Sequence, residues 1–466
     1  MQAEDQTLVR RKVVSHNDDP LPPLWLKRTM PSGNRPDASD LREGVLEGTS
    51  GKSALKRAIL ETLGESKEVA LLSSFLLADR ELEKGLFEAA SRGVRVYLLT
   101  ASENRLRAER RADSEEETEM FEEHSALLRR LEGKCFVRTG EDLHAKFIVT
   151  DPRSTSPRGV LSTANFTTKA LAGNPEIGVV LQGKEAKDLA RMFVYGFWHQ
   201  TQHELAPDGR LLDVRAESTA PRYPSFLPYT ARDKPQLQSQ LAQTFKEMDG
   251  EAWISCYGFE KTHSITKAIV EAVRRGVNLH IMTRPRGGGE AAVKHTDALI
   301  DFARSGAEIR SHPDLHAKAI VWTGTEGVCG LVMTANMASR GLDQGYEAGV
   351  LIDGKRALAL REILQTWWDW MPWEFRVGSR VGNVKGEIKV WRSPAFQDGI
   401  VLVQAPEQSM DRVVVDSPEA VQSAQPARFP SPSDGGRLTF YHEVPYRWEV
   451  VVKEPPIRKE QPKGKS

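Results

Sequence analysis

Cysteine is scarce: Cys135, Cys256 and Cys329 are scattered over 466 residues. An odd, widely spaced set offers neither a disulfide framework nor a CxxC zinc site, and it fits a reducing compartment. Net charge is missing too. Lys+Arg and Asp+Glu both number 64, so the whole-chain field gives no argument for nucleic acid, although a local basic groove stays open. No run of about 18 uninterrupted apolar residues occurs, so no membrane-spanning helix is expected. The start, Met1-Gln2-Ala3-Glu4-Asp5, is acidic and leads into no apolar segment. No secretory signal is expected, and the default location is the cytoplasm. Arg284-Pro285-Arg286-Gly287-Gly288-Gly289 lacks the Gly-Lys-Ser/Thr ending of a nucleotide P-loop. His199 and His203 lack the glutamate of an HExxH zinc site and read as surface residues.

What the chain does have is a repeat. With 39% hydrophobic and 27% charged residues, it can fill two or three soluble globular domains. Asp142-Leu143-His144-Ala145-Lys146-Phe147-Ile148-Val149 recurs as Asp314-Leu315-His316-Ala317-Lys318-Ala319-Ile320-Val321, with seven of eight positions identical. Ser162-Thr163-Ala164-Asn165 follows the first copy and Met333-Thr334-Ala335-Asn336 the second. Glu176 and Glu347 each lie 11 residues beyond the asparagine. Upstream, Arg92 to Thr100 matches Arg275 to Thr283, and Val69 to Leu77 resembles Ala252 to Phe259.

These short apolar runs read as buried strands, with helical patterns such as Arg80 to Arg92 and Ser264 to Arg275 between them. The order predicts βαβ units. The expectation is an α/β chain of two similar halves, 51–205 and 236–376, packed about a pseudo-twofold axis. A proline-rich linker, 206–235, joins them. Residues 1–50 are expected to form an N-terminal extension, loose or wrapped over the surface. Residues 377–452 are expected to form a small β-rich C-terminal appendage. Residues 453–466, with five basic and two acidic side chains, read as a disordered basic tail. Trp367, Trp368, Trp370 and Trp373 echo Phe193, Tyr195, Phe197 and Trp198 in the first half. Equivalent placement predicts helix packing on a sheet rather than base stacking.

Alternate side chains of a strand share a face, so His144 projects with Lys146 and His316 with Lys318. One such pair is an ordinary surface feature; two matched pairs, with Asn165, Asn336, Glu176 and Glu347 in step, are not. About a twofold axis, two His, two Lys and two Asn would surround one pocket. They supply the nucleophile, proton donor and cationic groups that phosphoryl transfer needs. Arg105 and Arg107 follow one strand, and Arg284 and Arg286 follow its counterpart, as candidate contacts to a phosphate backbone. The acidic run from Glu115 to Glu123 reads as a solvated helix.

The pattern His144-x-Lys146, then Asp151, then a small-residue block ending in Asn165, resembles the phospholipase D superfamily over about residues 55 to 375. The second copy departs from it: Thr323 stands where the aspartate would be, and Met333 where a small residue would be. Both copies keep a hydroxyl, at Thr163 and Thr334. The resemblance implies a phosphodiesterase needing no metal or cofactor. His144 would attack phosphorus to form a phosphohistidine, and His316 would protonate the leaving group, the roles reversing as water attacks. Lys146, Lys318, Asn165 and Asn336 would bind the phosphoryl oxygens. Glu176 and Glu347 would orient the imidazoles, with Asp151, Thr163 and Thr334 as support. One chain suffices for one site, and a homodimer stays open. The family includes phospholipases, phospholipid synthases, nucleases and enzymes that resolve protein–DNA adducts. With arginine-rich loops and no expected membrane span, a nuclease acting on DNA is favoured over a lipid phosphodiesterase or an inactive nucleic-acid-binding module. Bacterial relatives act in DNA processing or defence against foreign DNA, often beside a helicase or translocase, which the β-rich segment could dock.

Overall fold

The computed structural model describes residues 6–15, 24–27, 43–48, 53–110, 115–214, 227–231, 234–285, 289–324, 327–377, 388–391, 402–404, 437–441 and 446–452. The expected tail 453–466, Arg286 and much of the expected linker lie outside them, as does the side chain of Arg107.

Each half is built on one sheet. In the first, seven neighbouring strands run in the order Phe136–Gly140, Arg95–Ala101, Val69–Ser73, Phe147–Thr150, Arg158–Ser162, Glu176–Gln182, Val45–Gly48, and His203–Leu205 and Leu211–Asp213 extend the sheet beyond Phe136–Gly140. In the second the order is Glu308–Ser311, Asn278–Thr283, Asp249–Cys256, Ala319–Gly324, Gly327–Met333, Glu347–Asp353, Tyr229–Ala231. The first three strands of each are parallel and the rest antiparallel. The predicted βαβ units are present. In register, Val69 pairs with Arg95 and Glu251 with Asn278, across helices Arg80–Ser91 and Ser264–Arg274. Those helices form because Asp79 and His263 cap their first turns. Leu82, Leu86 and Ala89, and Ile265, Ile269 and Ala272, recur at helical spacing on the buried face.

The sheets face one another across a shared core. Phe147, Val149 and Leu161 from one sheet meet Ala319, Val321 and Val332 from the other, with Phe193 and Trp367 from the helices Gly183–His199 and Gly354–Trp370. Alternate residues point outward: Ile148 and Val160 pack under the first half's outer helices, and Ile320 under the second's. Strands buried on both faces explain the unbroken apolar runs of the sequence. Trp367 donates its indole N–H to the buried Glu47 at 2.6 Å, tying the halves together. Trp373 lies on the strand Trp373–Arg376, so the tryptophan cluster is only partly helical.

Three boundaries differ from expectation. Val45–Gly48 pairs with Glu176–Gln182, so the first sheet begins before residue 51. Tyr229–Ala231 pairs with Glu347–Asp353, so the end of the proline-rich segment belongs to the second sheet. These are short strands at equivalent positions in the two sheets, too short to show a period of two. The strand Gln6–Ser15 pairs with Ile388–Trp391 and Tyr446–Val452, so the β-rich appendage draws on both ends of the described chain. Among the described residues, no helix is long and apolar enough to cross a membrane.

Candidate active site

The His-x-Lys segments lie just ahead of the strands Phe147–Thr150 and Ala319–Gly324, rather than within them. They sit at the C-terminal end of the parallel strands, where α/β sheets place their ligands. Ser73 and Ser255, on the neighbouring parallel strands, donate to the carbonyls of Ala145 and Ala317 at 2.9 and 3.2 Å. The other anchor comes from across the interface. His144 and Ala145 donate their backbone N–H groups to the Tyr346 carbonyl at 3.1 and 2.7 Å, and His316 and Ala317 donate to Pro175 at 3.2 and 3.0 Å. Tyr346 and Pro175 immediately precede the two glutamates.

This exchange crosses the side chains as well. His144 Nδ1 lies 2.7 Å from Glu347 Oε1, and His316 Nδ1 lies 2.7 Å from Glu176 Oε1. Each imidazole is therefore held by the carboxylate of the opposite half, and both histidines belong to one site. Both glutamates are fully buried. Burial pushes their pKa values up, but the facing histidines, the lysines and the threonine hydroxyls outweigh it and hold both below the ordinary range. The carboxylates are ionised, so each Nδ1–H donates and each Nε2 carries the ring's free lone pair. Thr163 and Thr334 donate their hydroxyls to Glu176 and Glu347, while accepting the backbone N–H of Ile177 and Ala348 at 2.9 and 3.0 Å.

Burial pushes both histidines down to about 4, against the pull of the glutamates, so both are neutral near pH 7. Lys146 and Lys318 are fully buried. Each ammonium reaches back to the carbonyl of its own histidine, and Lys318 Nζ also lies 3.1 Å from both ring nitrogens of His316. Burial lowers the pKa of Lys318 against the pull of Glu176. Asn165 and Asn336 each carry a buried side-chain oxygen with no hydrogen-bond partner. Both asparagines lie just beyond the strands Arg158–Ser162 and Gly327–Met333, which pair with the strands that follow the His-x-Lys segments.

Asp151 is not brought to this site. Its carboxylate accepts the backbone N–H groups of Lys67, Glu68 and Val69 at 2.8 to 3.0 Å, closing the turn that starts Val69–Ser73. Its counterpart Thr323 lies within the strand Ala319–Gly324, paired with Val328. The histidines His199 and His203 do not share a helix: one ends Gly183–His199 and the other opens the strand His203–Leu205.

Sequence reasoning missed an aromatic layer. Phe75 meets His144 edge-on at 5.3 Å between centroids, and Tyr257 meets His316 at 5.1 Å. Both follow the serines Ser73 and Ser255, in segments whose similarity was visible in the sequence. Their loops are held by a second matched pair: Leu77 donates its backbone N–H to His124 Nδ1 at 3.0 Å, and Phe259 to His295 Nδ1 at 3.1 Å. Arg105 and Arg284 reach the same rings, each 5.5 Å from the centroid of Phe75 or Tyr257.

A family model described as the phospholipase D-like domain of cardiolipin synthase matches residues 59–197 and again 241–370, more than half of the chain. The chain belongs to the phospholipase D superfamily. Its fold is that of the phosphatidylserine synthase of Haemophilus influenzae, at 12% identity and a TM-score of 0.51, over 77% of this superfamily member and 89% of the synthase. It is also similar to the polyphosphate kinase of Porphyromonas gingivalis (14% identity, TM-score 0.42), covering 67% of this chain and 48% of the kinase, about half its length. Nuc, a phospholipase D family member from Salmonella typhimurium, is similar over 36% of this chain and 98% of its own, at 19% identity and a TM-score of 0.26. No curated protein matches the chain. Superfamily members are phosphodiesterases, and the two matched segments are the two halves described above.

Proposed function

We propose that this chain is a nuclease that cleaves DNA phosphodiesters through a phosphohistidine, without a metal. The observation that carries the reading is the crossed pair of histidine–glutamate contacts, 2.7 Å each, which supports placing both imidazoles in one site.

In the first step His144 Nε2 attacks phosphorus. A P–N bond forms, the P–O bond to the leaving group breaks, and His316 gives its Nε2 proton to that oxygen. In the second step water attacks phosphorus, the P–N bond breaks, and His316 takes the water's proton. His144 starts neutral, as a nucleophile must, because burial holds its pKa near 4. His316 must gain a proton first, and the arriving diester anion favours that by raising its pKa. Lys146, Lys318, Asn165 and Asn336 surround the phosphoryl oxygens, where charged and polar donors are worth several kcal/mol in the transition state. Glu176 and Glu347 fix the tautomers and stabilise the imidazolium forms.

Incubation with single-stranded DNA, duplex DNA, RNA and phosphatidylcholine vesicles, each with EDTA, tests the reading. DNA cleavage is expected, and loss of it in His144→Ala and in His316→Ala. A diester with a p-nitrophenol leaving group separates the roles, because it needs no acid: His316→Ala should give a burst of p-nitrophenol and His144→Ala none. The reverse result would overturn the assignment. Lipid cleavage alone, or salt-dependent DNA binding without cleavage, would overturn the nuclease reading.

A further inference from the structure

The two arginines on the aromatic layer are placed alike but not inherited alike. Arg95 to Thr100 matches Asn278 to Thr283, so Arg284 aligns with Ala101 and not with Arg105. Arg284 follows its strand directly, whereas Arg105 lies on the helix Glu103–Arg110 beyond the strand. Both guanidinium carbons nevertheless end 5.5 Å from the ring that touches the catalytic imidazole of the same half. Lys146 Nζ lies 6.0 Å from the Phe75 centroid, and Lys318 Nζ 5.6 Å from that of Tyr257. Each half therefore presents its cations in order: lysine beside the histidine, and arginine on the ring next to them. A duplicated scaffold would repeat the residue at the repeated position. Reaching one place by two local routes points to a demand from the ligand.

We infer that Arg105 and Arg284 are subsites for the phosphates on either side of the scissile one, so the substrate is a polyphosphodiester strand cut at internal bonds. This rests on the phosphodiesterase reading above. With each arginine on the ring beside its own half's histidine, a phosphorus held between His144 and His316 would have one arginine on each flank. A phosphatidylcholine molecule or a terminal phosphate offers charge to at most one flank, whereas the interior of a strand offers charge to both. Guanidinium suits such a subsite, because its planar fork binds phosphate oxygens in pairs while one face rests against a ring.

The test compares substrates within each protein. The probes are bis(4-nitrophenyl) phosphate, a dinucleotide with one internal diester, and a tetranucleotide whose central diester has a phosphate on each side. In the wild type, kcat/KM at the central bond should exceed that for the dinucleotide by roughly tenfold or more per flanking phosphate, as for other hydrogen bonds between charged partners. Arg105→Gln and Arg284→Gln should each cut that ratio by about tenfold, and the double variant should bring it close to one. Using the ratio cancels any general loss of folded enzyme. Equal ratios in wild type and double variant overturn the inference. So does hydrolysis of bis(4-nitrophenyl) phosphate, phosphatidylcholine or cardiolipin with no oligonucleotide cleaved, while the phosphodiesterase reading stands. Inertness toward every probe overturns both.

Discussion

Replacing Glu176 by glutamine should disable His316, a residue of the other half, and the hydrogen bonds say why. The two oxygens of Glu176 serve two donors: Oε1 accepts from His316 Nδ1 at 2.7 Å, and Oε2 accepts from the Thr163 hydroxyl. Thr163 Oγ1 already accepts the Ile177 N–H at 2.9 Å, and its proton is directed at Glu176. A carboxylate can accept twice; a glutamine accepts at one end and donates at the other. The threonine draws the amide oxygen, which turns the amide N–H₂ toward His316 Nδ1. That nitrogen must then accept, the single ring proton moves to Nε2, and the imidazolium form faces a donor. His316 can serve neither as acid in the first step nor as base in the second. A carboxylate-to-amide change behind a catalytic histidine costs on the order of 10⁴-fold in rate for this tautomer reason, about 5 kcal/mol of activation free energy. Glu176→Gln should therefore lower kcat by about 10³- to 10⁴-fold. Adding Thr163→Ala frees the amide to turn its oxygen to His316 and should recover roughly tenfold or more. Steady-state kinetics measure both, and ¹⁵N shifts of the imidazoles should change for His316 and not for His144. The reasoning fails if Glu176→Gln keeps activity within about tenfold of wild type, or if the His144 resonance is the one that moves.

Gly196 packs on the ring of Tyr346, where an added Cβ would lie 2.6 Å from Cζ. Gly196→Ala should cost about 1–3 kcal/mol in urea unfolding, and Tyr346→Leu in the same chain should restore part of it; equal stability of the alanine variant and wild type would refute the contact. Asp151→Ala leaves three backbone N–H groups without their acceptor and should cost about 1–3 kcal/mol, with kcat of the folded fraction unchanged; a selective loss of kcat would return Asp151 to the active site. Burial pushes His144, His316 and His124 to about 4, from 6.5 unfolded. Between those values the unfolded chain binds protons that the folded chain does not. The stability they contribute is complete above about pH 6.5 and is lost as pH falls toward 4, on the order of 3 kcal/mol per histidine. A flat unfolding free energy across that window would contradict the burial of these rings.

Much of this molecule is legible in its sequence, because the fold is doubled. Two near-identical His-x-Lys blocks, each with Asn and Glu at the same spacing, disclose the repeat and six candidate site residues. Apolar runs on either side of helical patterns disclose the βαβ units, since strands buried on both faces leave no polar alternation to blur them. Other features leave no local mark. The short strands Val45–Gly48 and Tyr229–Ala231 are too short to show a period and take their pairing from Glu176–Gln182 and Glu347–Asp353. Phe75 and Tyr257 look like ordinary apolar residues after a strand, and nothing nearby in the chain identifies them as neighbours of an imidazole. Asp151 follows the family motif in sequence, yet its backbone partners, residues 67–69, form the turn that leads into another strand. Spacing also placed a glutamate with each histidine, and only the tertiary structure decided which glutamate serves which. The hydrogen bonds from His144 and His316 run across the interface, so the partner of each ring is chosen by how the two sheets dock and not by distance along the chain.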